Sequence, residues 1–428
     1  MSTPPLFPIR TGLKRARWSW VGMLSFPWSA MLYFELLSTT AITFKLREFV
    51  SVPLVITLIT SFNLVFNIFV GATCNYASDR IWTPFGRRKP FLVAGWITVA
   101  VGCLLLPQIG TFWVIVLALF FYELLRDLTS PYESLCAEIV PPQQRGRSNA
   151  TLTFARQAMT AVFFAVLIGQ WDNTYELPGG AVINGQQSIF WIASLVALLS
   201  AAFVAFCIRE APPKVIPEAP PRITFGFLKL TAKGFLREVF GEPQWRAIYA
   251  VALAQMIFWV GFGSLTPLLF TEEWDFSKQT YGNVIAIGTP FTLFLFLPLG
   301  GWIADHVDRL KMFKILAAAV TLNHIVFFLY LKLIVGGAQP PTLMVVLFTL
   351  LGTGLGSVGV VCTVSMMFDF VPRDRLGTVL SGIGITRGIA SIFVNNGIGL
   401  WVLAVSEISA QPTTDGAIAY DYESGYLY

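Results

Sequence analysis

The sequence predicts an all-α polytopic membrane protein built from two homologous helical bundles, and three observations carry that reading. Only 12% of the 428 residues are charged while 55% are hydrophobic; a soluble domain carries about twice that charged fraction. Apolar runs of roughly twenty residues recur along the whole chain, each long enough to cross ~30 Å of hydrocarbon. The chain also echoes itself. The stretch "NYASDRIWTPFGRRKPF" (75–91) returns as "LPLGGWIADHVDRLKMFK" (297–314), and "CAEIVPPQQRGR" (136–147) returns as "MFDFVPRDRLG" (367–377). The two echoes have nearly the same offset, 226 residues from Asp79 to Asp305 and 231 from Glu138 to Asp369, the mark of an internal repeat.

The first seventeen residues hold Arg10, Lys14, Arg15 and Arg17 but no cleavage-type apolar core, so the first run, 19–42, reads as a retained span. Further spans are expected at 51–75, 90–108, 111–138, 147–170 and 187–208, which completes a first bundle over 1–208. The connector 209–245 contains "APPKVIPEAPPR", whose prolines exclude a helix interior. It is followed by an amphipathic stretch, "FGFLKLTAKGFLREVF", suited to a membrane surface. A second bundle over 246–428 has spans at 246–270, 279–304, 311–335, 342–368 and 376–403. Its tail ends "DYESGYLY" and reads as the entry to a twelfth span that this sequence does not contain. "GTGLGSVG" (352–359) on the tenth span predicts close helix approach.

With the N-terminus in the cytoplasm, 22 of the 29 lysines and arginines fall in inside segments, against four (Lys45, Arg47, Lys278, Lys332) outside. This is a strong positive-inside asymmetry. It places the Asp79–Lys89 connector in the cytoplasm. The five cysteines all lie in or beside apolar runs with no metal-ligand spacing and read as small packing residues. The two histidines, His306 and His324, have no cysteine companions, and no phosphate loop or HExxH motif is present. The expectation is a protein without enzymatic activity, metal or cofactor. Its partners would be a small polar solute and the lipid bilayer and not nucleic acid, and it would be monomeric.

Two groups of charge need explanation. On the cytoplasmic side, Asp79 is placed to cap a neighbouring helix or to accept from Arg87 and Arg88, and Glu138 ends the fourth span on the same face. Asp305, Arg309, Asp369 and Arg375 are their counterparts in the second half, with Gly301, Asp305 and Arg309 at successive four-residue steps. Arg80, Gly86 and Arg145 complete the set. Basic residues here satisfy the topology rule alone, but acids do not serve it.

Within the spans, Glu35, Glu123, Arg126, Asp127, Arg156 and Arg387 lie where lipid or a buried cavity should be. Each costs ~2.5–3.5 kcal/mol at a helix centre, so a cluster needs a reason. Asp127 is eleven residues from Glu138 and Arg156 nine from Arg147, ~16 and ~13 Å along a helix, so the two sit at similar depth. Paired charges that fix helix packing explain part of the set. The excess of acid over base in the first half favours solute or coupling-ion binding, because an acid without a full partner in low dielectric takes up a proton and can pass it on. Polar and aromatic residues at mid-depth, namely Asn63, Asn67, Tyr122, Gln157, Gln255, Trp259, Asn323 and His324, are candidate solute contacts. For His324 and the aromatics, helix packing is the competing role.

Two six-span halves joined by a basic linker resemble the major facilitator superfamily. The signature loop of that family is present in altered form at Asp79, Arg80, Gly86, Arg87 and Arg88, with five residues between Arg80 and Gly86. This stretched form is similar to the plant sucrose transporters and their animal relatives, and more broadly to the glycoside–pentoside–hexuronide cation symporters, which include the melibiose carrier. The segment "SPYESLCAEIVPPQQRGRSNA" (130–150) is similar to the same group. The resemblance implies two six-helix bundles with pseudo-twofold symmetry, the last helix missing from this chain. It also implies proton-coupled symport of a sugar or glycoside in the bacterial inner (plasma) membrane, and a charge latch on the cytoplasmic side. Melibiose-carrier-like proteins hold a cation with acids in spans one, two and four. Span two here offers Asn63 and Asn67 and no carboxylate, which favours a proton over sodium. A non-transporting, pigment-handling assembly factor of the same fold is the alternative.

Overall fold

The computed structural model describes residues 9–10, 16–71, 73–75, 78, 82–141, 144–176, 180, 182–210, 236–237, 239–259, 263–370, 376–409 and 420–427. Among the described residues the protein is helical apart from two small sheets. Eight of its helices are long and apolar enough to cross a membrane. The chain forms two compact units, Met1–Ala41 with Val65–Arg222, and Ile42–Leu64 with Ile223–Tyr428. Most of the 209–245 connector and its amphipathic stretch lie outside the described residues.

In the first unit the helix Trp18–Leu36 continues into a π-helical turn, Leu37–Ala41. Two tyrosines pin it. The Tyr33 hydroxyl donates to Ile189 O at 2.9 Å, and the Tyr132 hydroxyl to Leu24 O at 2.8 Å. Both rings are almost fully buried, so each phenol needs such a partner. The third span, Lys89–Leu105, starts with Pro90 at its first turn, where a missing N–H costs nothing. It lies against the fourth, Phe112–Arg126, because glycines open its surface. A Cβ on Gly102 would stand 2.7 Å from the Tyr122 ring, and one on Gly95 2.9 Å from the Thr129 methyl. On its other side, Ser194 Oγ of the helix Gly185–Ala202 donates to Ala100 O at 2.8 Å.

The two sheets belong to this unit and were not anticipated. Ile9–Arg10 pairs in parallel with Ile208–Arg209, and Thr174–Glu176 forms an antiparallel hairpin with Val182–Asn184. Both runs are too short to carry a periodic signal. Ile9 and Ile208 are fully buried, which explains why an otherwise basic tail docks at the end of the sixth span.

In the second unit the helix Pro53–Thr60 lies against the long helix Leu376–Ser409. Gly399 leaves room for it, since a Cβ there would meet Thr57 Oγ1 at 2.4 Å. Asn395 ties the seam. Its amide donates to Thr57 O (3.1 Å) and Ser61 Oγ (3.0 Å), and its carbonyl accepts from Ser264 Oγ (3.0 Å). The glycines of 352–359 act as the sequence predicts, with Gly354 against the Phe296 ring and Gly300 of the facing helix against Val358. Ordinary start and stop signals set the ends. Ser277 Oγ accepts from Thr280 N, Asp308 Oδ1 from Lys311 N, and Gly336 (φ +62°) closes the helical run Arg309–Val335.

Candidate functional site

Of the charges predicted inside the membrane, all but Arg387 lie in the first unit, and Glu123, Arg126 and Asp127 of the fourth span meet residues of the first and second spans. The π-helical turn Leu37–Ala41 carries Ser38, whose hydroxyl donates to Glu123 Oε1 at 2.5 Å and accepts from Arg126 Nη1 at 2.9 Å. Arg126 Nη1 also lies 3.2 Å from Glu123 Oε2. Glu123 and Arg126 are thus an i, i+3 ion pair on one helix, bridged by a hydroxyl from another. Both side chains are buried, at 5% and 11% exposure, so the pair acts in a medium where each bond is strong and each unpaired charge costly.

Glu35 and Arg156 form a second pair at 3.3 Å between the first span and the helix Arg145–Val162. It is open, with 56% and 39% of the side chains exposed; Gln157, the next residue on that helix, is half-buried.

Asp127 is the acid left over. It begins a 3-10 turn, Asp127–Thr129, at the end of the helix Phe112–Arg126. It is only 4% exposed, its carboxylate is hydrogen-bonded by the Asn67 side chain, and its Oδ2 has no hydrogen-bond partner among the described residues. Asn67 opens another π-helical turn, Asn67–Gly71. Both of the turns that reach the cluster are therefore π-helical, where a widened backbone re-aims side chains.

Tyr122 is buried one position before Glu123, its side chain hydrogen-bonded with Cys103 of the third span. Asn63 and Arg387 belong to the second unit. In that unit Asn323 Nδ2 donates to Phe348 O at 3.4 Å. His324 Nδ1 is 2.9 Å from Val320 O, with its ring beside Tyr426. The side chains of Gln255 and Trp259 lie outside the described residues.

At the connector, Glu138 pairs with both Arg87 and Arg88, the latter at 2.8 Å. A residue the sequence reading did not single out completes this network. Glu210, at the end of the sixth span, accepts from the backbone N–H groups of Arg87 (3.1 Å), Arg88 (3.1 Å) and Lys89 (2.9 Å). It caps the third span, where the orphan donors and the helix dipole favour an anion. Gly86 makes room for it. Its φ is +116°, and a Cβ would stand 2.7 Å from Glu210 Oε1. Asp79, Arg80 and Arg375 lie outside the described residues, as do the side chains of Arg145, Arg309 and Asp369. Gly301 has open space where a side chain would be, and Asp305 is exposed.

Beyond the end of the seventh span, Glu273 meets the tail segment Tyr422–Leu427. Its Oε2 accepts from Glu423 N at 2.8 Å, while Lys332 Nζ lies 2.9 Å from Glu423 and 3.2 Å from Asp421. The three carboxylates come within 4.8 Å of one another. Burial, followed by the charges of Glu423 and Asp421, pushes Glu273 up to about 8.

The sequence profile described as "Major Facilitator Superfamily" matches residues 6–395. The chain is 20% identical over 251 residues to the sucrose transport protein SUC4 of Arabidopsis thaliana. That match spans 53% of this chain and 48% of the relative, so the chain aligns with about half of the curated relative's length. Among solved structures it is similar to a D-xylose–proton symporter (TM-score 0.60, 16% identity, 89% of this chain and 88% of that one). It is also similar to a POT family transporter in complex with a thioalcohol-conjugated peptide (TM-score 0.66, 13% identity, 96% and 92%) and to a bacterial homologue of the lysosomal transporter Spinster (TM-score 0.63, 14% identity, 91% and 84%).

Proposed function

The chain belongs to the Major Facilitator Superfamily, and from that premise we propose that it is a secondary active transporter that couples a proton to symport of a sugar, glycoside or similar polar solute by alternating access. One observation carries the coupling: the buried carboxylate of Asp127, with Oδ2 unpartnered beside an ion pair that is already matched. A permanent charge there would be costly. A carboxylate that is protonated in one stage of the cycle and released in another meets that cost and links solute movement to the proton gradient. The paired Glu123 and Arg126, with Ser38, hold a fixed field next to it.

The solute reading rests on a second place, the open pair of Glu35 and Arg156, with Gln157 next to Arg156 in sequence. Carboxylate, guanidinium and amide groups are what sugar hydroxyls need. The sucrose transport protein and the D-xylose–proton symporter are the relatives that favour this class. In this reading the six-span bundle 1–208 and the five-span bundle 246–428 rock about the linker. The 75–91 connector faces the cytoplasm of a bacterial inner membrane, and Arg87, Arg88, Glu138 and Glu210 latch that side.

Uptake into proteoliposomes tests the proposal, with radiolabelled sucrose first and then a panel of glycosides, with and without an imposed inside-alkaline gradient. Accumulation that requires the gradient is expected for at least one solute. Uptake of every transported solute that ignores the pH gradient would remove the proton from the account.

A further inference from the structure

Resting on the alternating-access reading, we propose that Asn395 is a gating residue. Its amide clasps the second span to the seventh and eleventh. The clasp closes the side of the protein opposite the 75–91 connector and parts when that side opens.

Three segments meet at this one amide, which is 7% exposed. Its Nδ2 donates to Thr57 O (3.1 Å) and Ser61 Oγ (3.0 Å), and its Oδ1 accepts from Ser264 Oγ (3.0 Å). Asn396 Nδ2 donates to the same Ser61 Oγ at 3.0 Å, and Thr60 Oγ1 donates to Ser264 Oγ at 3.0 Å. Thr57, Thr60 and Ser61 come from the second span, Ser264 from the seventh, and the two asparagines from the eleventh. Ser61 is fourteen residues before Asn75, ~21 Å along a helix, so the clasp lies in the half of the span remote from the connector. Beyond it, toward the far ends of the spans, Arg47 pairs with Glu272 and the Phe44 ring meets Tyr281 edge-on.

Three features distinguish a gate from fixed packing. Residues 53–61 belong by sequence to the bundle 1–208, yet their bonds run to segments of the bundle 246–428; rocking of one bundle against the other breaks these bonds. The partners are amides, hydroxyls and a backbone carbonyl, which bond water equally well when parted, so opening strands no charge as a buried ion pair would. Helical winding is also interrupted at the clasp. Ser61 separates the helices Pro53–Thr60 and Phe62–Phe66, and the seventh span has a 3-10 turn there, Gly263–Leu265, with Gly263 at φ +53°. Such breaks are where a span bends.

A disulfide across the seam tests the proposal. A Cβ on Gly399 would stand 3.0 Å from Thr57 Cγ2, so Thr57→Cys with Gly399→Cys brings two Cβ atoms within the ~4.5 Å that a disulfide spans. Solute exchange is measured in proteoliposomes at equal pH, with radiolabelled sucrose first and then the glycoside panel. Oxidation of the pair is expected to cut exchange by about tenfold or more, reductant to restore it, and neither single-cysteine variant to respond. Full exchange by the oxidised pair would overturn the gate and leave alternating access standing. A second measurement needs no crosslink. Leu265→Cys, at a fully buried position beside Ser264, is expected to react with a membrane-impermeant maleimide, about tenfold faster once Asn395→Ala is added. Labelling that is absent, or equal with and without Asn395→Ala, would overturn the role of Asn395. Wild-type protein that exchanges none of these solutes would remove the alternating-access reading itself, and the gate with it.

Discussion

At the scale of single residues, the sequence exposes charge and hides the groups that organise it. Glu35, Glu123, Arg126, Asp127 and Arg156 are conspicuous because carboxylates and guanidinium groups in apolar runs are expensive, and the structure gathers these five in one unit. Ser38 was not legible, since a serine in a span usually bonds its own backbone four residues back, as Ser29 does to Ser25 O. Only the fold shows that Ser38 spends its hydroxyl on Glu123 and Arg126. Glu210 was equally silent, because its partners are backbone N–H groups 121 to 123 residues away. Ser38→Ala removes the bridge and leaves Glu123 Oε1 short of a donor. The expected cost is about 1–3 kcal/mol, read as a lower thermal midpoint of the purified protein, with Ser38→Thr recovering most of it.

At the scale of elements, helix existence was legible from hydropathy, but the irregular turns were not. The π-helical turns Leu37–Ala41 and Asn67–Gly71 carry Ser38 and Asn67 to the cluster, and no periodicity of apolar residues distinguishes such a turn from ordinary helix. Close approach of the third and fourth spans depends on Gly95 and Gly102. Gly102→Leu is expected to drive the Tyr122 ring aside and cost about 1–3 kcal/mol or more through overpacking, displacing Glu123 with it. Loss of thermal stability together with loss of transport would show this, whereas an unperturbed variant would separate the glycine from the site. Glu210→Ala exposes three backbone donors at the start of the third span. The expected loss is about 1–2 kcal/mol, with faster hydrogen exchange at 87–89 than in the rest of that helix.

At the scale of the whole molecule, the chain forms two compact units, and residues 42–64, expected in the first bundle, fold with the second of them. The seam that holds them there, Asn395 with Thr57, Ser61 and Ser264, is made of neutral polar groups. Amides and hydroxyls inside apolar spans give no charge signal, so this contact could not be read from the chain. The tail segment adds a pH dependence. Glu273 holds its proton to about 8 in the folded protein against about 4.5 otherwise, so the folded state binds the extra proton between those values. Stability from this group is full below about 4.5 and is lost as pH rises through about 8. The thermal midpoint should therefore fall between pH 5 and pH 8.5 in the wild type, as linkage requires for a raised carboxyl, and Glu273→Gln should flatten that slope.

The coupling role of Asp127 is the centre of the account, and one comparison in proteoliposomes tests it most directly. Solute exchange at equal pH reports binding and alternating access, while accumulation under an inside-alkaline gradient also needs the proton. Asp127→Asn should keep exchange within a few-fold of wild type and lose accumulation, because the amide keeps the shape and gives up the exchangeable carboxyl proton. Retention of gradient-driven accumulation by Asp127→Asn would contradict the account.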